Sequence, residues 1–123
     1  AHLLKPVDPA RLVAVLAGDP KTGVHHTYVM LPDGLRIPPH WHSYDEYVTV
    51  VQGTVLFGQG EVIDTKAARL FGPGAFVLVP AKVPHYAWAK GQVVLSQTRT
   101  GPVDFHWINP ADDPTKAKGM SEK

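Results

Sequence analysis

An all-β sandwich or barrel is the fold class this sequence predicts, on three observations. Twelve prolines and eleven glycines in 123 residues leave few stretches long enough for an ordinary helix. The runs between them are mostly rich in Val, Leu and aromatic residues, which suit a pleated, half-buried surface. Their spacing is short and regular, as in sheets joined by Gly and Pro turns rather than in alternating βαβ units.

Taken in chain order, strands are expected over residues 11–17, 24–31, 46–52, 54–59, 67–71, 75–79, 85–89, 92–100 and 103–108. Gly53 separates two of these runs, and its freedom to take positive φ predicts a tight hairpin there. Pro32-Asp33-Gly34 and Phe71-Gly72-Pro73-Gly74 are two further turn signals. No internal repeat or low-complexity block interrupts the pattern.

The length and a hydrophobic content of 44% suit one domain over residues 1–123, with its core at about 11–109 and a polar, fraying tail at 115–123. A formal charge of +1 without a long basic run gives no electrostatic footprint for nucleic acid or an anionic membrane. With no cysteine, the chain has no disulfide, thiolate zinc site or Cys nucleophile, so any metal must be held by nitrogen and oxygen. No apolar run approaches the ~18 residues a membrane span needs, and a soluble protein is expected. The first residues are Ala1-His2, compatible with a cytoplasmic protein or with a periplasmic one whose export signal has been removed.

Chemistry concentrates in Gly34-Leu-Arg-Ile-Pro-Pro-His40-Trp-His42-Ser-Tyr-Asp-Glu46. In an extended segment residues i and i+2 share a face, so His40 and His42 can offer two imidazoles to one ion. Glu46 has the same parity, with an irregular step open at 43–45. Pro38-Pro39 biases the approach toward extended conformations and removes two ladder donors, as at a strand entry or barrel mouth. Further on, Gly74 to Ala89 reads as a strand, a proline-bounded turn and a new strand opening at His85. Such a return would bring a third imidazole from across the barrel.

The first stretch resembles the cupin superfamily motif G-x5-H-x-H-x3-E-x6-G at every fixed position, from Gly34 to Gly53. The second matches G-x5-P-x-G-x2-H-x3-N at Gly74, Pro80 and His85, while Lys82 replaces the second glycine and Ala89 the asparagine. Both departures bear on the turn rather than on a ligand. The wider phrases around His40 and at Asn109-Pro-Ala-Asp-Asp-Pro look like those of small bacterial cupins. The resemblance implies a double-stranded β-helix, or jelly-roll barrel, with His40, His42, Glu46 and His85 on one divalent metal. Fe, Mn, Ni, Cu and Zn all suit that ligand set.

A lone His-x-His pair is ordinary surface chemistry, and only the joint offsets of Glu46, His85, three glycines and a proline lift it above coincidence. Asp45 is on the wrong parity to join. His25 and His26 should face opposite ways, and Trp41, Tyr86 and Trp88 read first as packing aromatics. Tyr86 as a proton handler and Gln97 as a substrate or water contact are the candidate catalytic groups. The activity the resemblance implies first is a mononuclear, dioxygenase-like oxidoreductase acting on a small organic molecule. A non-redox isomerase, lyase or cyclase is the alternative, and a non-catalytic metal or small-ligand binding protein the third reading. A homodimer is expected, because exposed barrel edges are commonly covered by a second subunit.

Overall fold

In the computed structural model, residues 5–8 and 11–114 are described; the expected tail at 115–123 lies outside them. Nine strands are found there: β1 Lys5–Asp8, β2 Arg11–Gly18, β3 His25–Leu31, β4 Arg36–Trp41, β5 Glu46–Gln59, β6 Arg69–Phe71, β7 Phe76–Val79, β8 His85–Arg99 and β9 His106–Trp107. One turn of 3-10 helix, Pro110–Asp112, follows, with the Asn109 side chain accepting from the Ala111 amide. Among the described residues no helix is long and apolar enough to cross a membrane.

The architecture is set by two long antiparallel strands. β5 and β8 pair from Glu46↔Arg99 to Gln59↔His85, with register shifts on either side of Gln52. The C-terminal half of β8 continues into β3, then β2 and β1, while the N-terminal half of β5 pairs β7. The other halves pair β4 and β6, and β4 carries β9. Each long strand therefore belongs to both sheets of a jelly roll and turns the corner between them.

That corner corrects one expectation. Gly53 does not close a hairpin; the chain runs on through it as an irregularity within β5. Gly53 has φ +83°, and Gly91 opposite, in β8, has the same value. A Cβ on Gly53 would stand 2.1 Å from the Gln92 carbonyl oxygen, so both conformation and space exclude a side chain. The runs 46–52 and 54–59 are thus one strand, as are 85–89 and 92–100. In β8 the inward positions keep their parity across the corner, from Ala89 to Val93, so a local pattern there could not distinguish a bulge from a turn; in β5 the phase changes between Val50 and Val55. The other two turn signals do close turns, Leu35 N to Pro32 O at 3.1 Å and Ala75 N to Gly72 O at 3.0 Å, with Gly34 and Gly74 at positive φ.

Between the sheets lie Val29, Leu31, Val48, Val50, Val55, Val79, Ala87, Ala89, Val93 and Leu95, all buried. Burying each larger aliphatic side chain contributes about 1.5–3 kcal/mol, the main force closing the barrel. Toward one end, inward positions on the same strands become polar: His25 and Thr27 on β3, Gln97 and Arg99 on β8, Glu46 on β5.

Candidate metal centre

Three imidazoles meet at the end of β4 and the start of β8. His40 and His85 are direct cross-strand partners, their ring centroids 4.3 Å apart. His85 therefore comes from the neighbouring strand rather than from across the barrel. His42 lies one residue beyond β4, with ring centroids 4.9 Å from His40 and 5.0 Å from His85. Pro38 and Pro39 fall where the β4–β8 register breaks between Ile37 and His40, so the donors they lack are not needed.

Each ring is oriented by a carbonyl that can only accept. His40 Nδ1–H donates to Pro38 O at 2.6 Å, His42 Nδ1–H to Asp104 O at 2.5 Å, and His85 Nδ1–H to Val83 O at 3.0 Å. In the neutral tautomer this leaves Nε2 of all three as lone-pair donors. One ring nitrogen from each lies within 4.8 Å of the others. Such carbonyl-oriented histidines are the usual support of a metal ligand, so these residues fit a divalent ion.

The electrostatics hold the rings uncharged. Burial lowers the pKa of His40 to about 2, and the neighbouring His85 and His42 add to that effect. Burial brings His42 to about 4 although the Glu46 carboxylate pulls upward. His85 is likewise lowered by burial, against its bond to Val83. At neutral pH no proton has to be displaced from the Nε2 atoms before they ligate.

Glu46 stands slightly apart from the trio. It is buried and points inward, its Oε1 3.9 Å from His42 Nε2, but its Oε2 is 2.5 Å from Arg99 Nη2. Burial opposes ionisation of this carboxyl, but Arg99, with His42 and His85, outweighs it and holds the pKa below the usual value. The structure thus draws His40, His42 and His85 together and places Glu46 beside them, shared with a guanidinium. Sequence reasoning did not single out Arg99; its pairing with Glu46 follows from a cross-strand register no local spacing reveals.

Nor did it find the support beneath His42. Asp104 Oδ1 accepts from the Ser43 amide at 2.9 Å; its Oδ2 accepts from the Ser43 hydroxyl and lies 3.0 Å from His106 Nε2. Burial works against ionisation of Asp104, but these bonds prevail and keep its pKa below the usual value. The clamp fixes the segment whose carbonyl orients His42. His106 also stacks on Trp41 at 3.9 Å. Phe105 packs against the rings of His40 and His42, centroids 5.1 and 4.8 Å away, and stacks on Trp107.

The two candidate catalytic groups lie elsewhere. Tyr86 is buried, its hydroxyl donating to Asp64 O at 2.9 Å and accepting from Asp64 N at 3.0 Å, and its ring fills the space a Cβ on Gly58 would take. That geometry ties down the 61–66 segment and does not bring Tyr86 to the histidines. Gln97 faces inward from β8 beside a small cavity, two register positions from the Arg99–Glu46 pair. His25 and His26 do face opposite ways: His25 is buried, and His26 bonds to Thr98 and Ser96 on the outer face.

In the turn before His85, Lys82 takes φ +66°, the conformation that a glycine at this motif position would favour. Its amide bonds to His42 O at 2.8 Å, tying the turn to the site. Lys82→Gly should raise stability by about 1 kcal/mol in urea denaturation by removing this strain. A loss of stability would mean that the turn is not strained.

A jelly roll with carbonyl-oriented histidines at one end defines a barrel of the metal-competent class. The chain belongs to the cupin family: the family described as Cupin domain matches residues 26–96. No curated protein matches it by sequence. Among solved structures it is similar to the polyketide cyclase RemF from Streptomyces resistomycificus, at 18% identity over 96% of this chain and 84% of that one, with TM-score 0.69. KdgF from Halomonas sp. is 22% identical over 79% and 84% of the two chains, TM-score 0.64. The DMSP lyase DddQ from Ruegeria pomeroyi is 22% identical over 75% of this chain and 47% of that one, TM-score 0.62. At these identities the likeness is one of fold.

Proposed function

We propose that this protein is a mononuclear metal-dependent enzyme acting on a small organic molecule by proton transfer, as a lyase, isomerase or cyclase does. The observation that carries this reading is the trio of buried, neutral imidazoles whose Nε2 atoms face one another. His40, His42 and His85 would hold the ion, with Glu46 as a fourth ligand or as the adjacent base. Bound there, a divalent ion supplies Lewis-acid polarisation of a carbonyl or hydroxyl oxygen. The chain's own part is positional. Glu46, kept ionised by Arg99, can accept a proton beside the site. Phe105 and Trp107 shield the imidazoles from water. A cavity of about 350 Å³ with His85 in its wall, lined by Phe57, Phe71, Val77, Val79 and Val83, offers an apolar seat for the body of a substrate. Similarity to a polyketide cyclase and a lyase supports the non-redox choice.

Dioxygenase-like oxidation is the second reading, favoured by the same apolar cavity, which suits dioxygen, and by a donor set that accepts redox-active metals. The test is a substrate panel of diketones, phenols and hydroxy acids, run with zinc-loaded protein under nitrogen and with Fe(II)-loaded protein under air. Turnover with zinc and no dioxygen is the expected result. Turnover confined to Fe(II) with dioxygen uptake would move the assignment to the oxidoreductase, and turnover in neither would leave a binding protein.

A homodimer formed through the outer sheet face is the assembly we favour. Tyr28, Tyr47, Phe76 and Leu78 are exposed there, and the registers Tyr47↔Leu78 and Thr49↔Phe76 place them side by side with Thr and Ser rather than charges between.

A further inference from the structure

Two cross-strand pairs on the inner face of the β3–β8 ladder, His25↔Arg99 and Thr27↔Gln97, form a two-by-two polar array. All four residues are more than nine-tenths buried, at 2% exposure for His25 and Thr27 and 8% for Gln97 and Arg99. His25 Nε2, Thr27 Oγ1, Gln97 Oε1 and Arg99 Nε have no hydrogen-bond partner within the protein. Buried polar groups are nearly always paired, and four unpaired in one array call for an explanation. The four line a single cavity of about 140 Å³, with Phe105, which also packs against the His40 and His42 rings, in its wall. Its remaining walls include Val13, Val29 and Val103.

We infer that this cavity is a subsite for a small hydroxycarboxylate, or for the hydroxycarboxylate end of a larger substrate. Donor and acceptor roles specify the class. His25 gives its Nδ1–H to Gly23 O, so its neutral ring presents Nε2 as an acceptor, and Gln97 Oε1 is a second acceptor. Arg99 Nε–H is a donor, and the Thr27 hydroxyl can act either way. A ligand serving all four needs a hydroxyl to donate to one of the two acceptors, with Thr27 turned to donate to the other, and a strong acceptor for Arg99. A carboxylate bearing a hydroxyl on the adjacent carbon has both within one small group. Arg99 gives Nη2 to Glu46, so its Nε–H is the donor left for the ligand's acceptor. At about 140 Å³ the cavity is well below the roughly 300–1,000 Å³ of drug-sized sites, so it suits a small group. Arg99 also holds Glu46, whose other oxygen is 3.9 Å from His42, so a group anchored here lies two contacts from the imidazoles. That link to catalysis rests on the metal-enzyme reading above; the binding itself does not.

The test is an NMR titration of the full chain, metal-free and zinc-loaded, with glycolate as probe, acetate lacking the hydroxyl and ethylene glycol lacking the carboxylate. Glycolate should shift the Thr27 and Gln97 resonances in both forms and bind about tenfold tighter than either control. Thr27→Val and Gln97→Met, each checked for a native spectrum, should each weaken it about tenfold, the usual effect of leaving buried partners unpaired. Glycolate binding no better than acetate overturns the inference. So does binding seen only with zinc and indifferent to Thr27→Val, since the acid would then be chelating the metal. If zinc fails to bind but glycolate behaves as expected, the enzyme reading falls and the subsite stands.

Discussion

Replacing Arg99 with Leu is expected to lower stability by about 3–5 kcal/mol, measured by urea denaturation with a chelator present, because it leaves the Glu46 carboxylate buried without its counter-ion. In a domain of this size that is a fall of roughly 10–20 °C in melting temperature. The pH dependence carries the signature. In the native protein the Glu46 pKa is held below its ordinary 4.5, so the pair's contribution is present above that pH and is lost as pH falls through the folded value. Without Arg99, burial becomes the dominant influence and drives the pKa upward. The deficit should therefore be largest at neutral pH and shrink in acid as Glu46 protonates. Adding Glu46→Leu to Arg99→Leu should recover most of the loss, because a buried pair is costly to break yet cheap to replace whole. A single-variant loss below about 1 kcal/mol, flat with pH, would show that Glu46 does not depend on Arg99.

Removal of one imidazole should have the largest effect on metal binding. His42→Ala and His85→Ala are each expected to lower divalent-metal affinity by more than the roughly 10–100-fold typical of an outer supporting residue. Elemental analysis after gel filtration should find about one ion per native chain and almost none in either variant. Full occupancy in both would refute the ligand assignment. Acid should act differently on binding and on folding. Because the folded pKa values lie near 4 for His42 and near 2 for His40, protons do not compete for these rings in the folded protein until the pH approaches 4. In the unfolded chain the same rings protonate near 6.5, so metal-free stability should already decline below that pH, by up to about 1.4 kcal/mol per pH unit for each histidine. Metal binding at pH 5.5 should thus persist while the urea midpoint of the metal-free protein has fallen.

The particular elements show where local reading succeeds. His40, His42 and Glu46 were legible because side-chain alternation is a property of any extended chain, and all three do turn inward. Gly34 and Gly74 were legible because a turn needing positive φ announces itself in the residue that tolerates it. Gly53 carried the same signal with a different outcome: a strand bending between two sheets needs the same conformational freedom as a chain reversing on itself, and only pairing with β8 distinguishes them. Lys82 occupies a left-handed position without the residue that marks one.

By itself the sequence determined the all-β class, most strand positions, the inward set of histidines and the cupin resemblance, since these follow from periodicity, turn chemistry and short spacings along one segment. Only the tertiary structure decided which strands face one another. That put His85 beside His40, gave Glu46 to Arg99, set Asp104 under His42 and gathered His25, Thr27, Gln97 and Arg99 around one cavity. The reason is physical: pairing register and barrel closure arise from contacts between residues tens of positions apart, and no local propensity encodes which residue will stand opposite another.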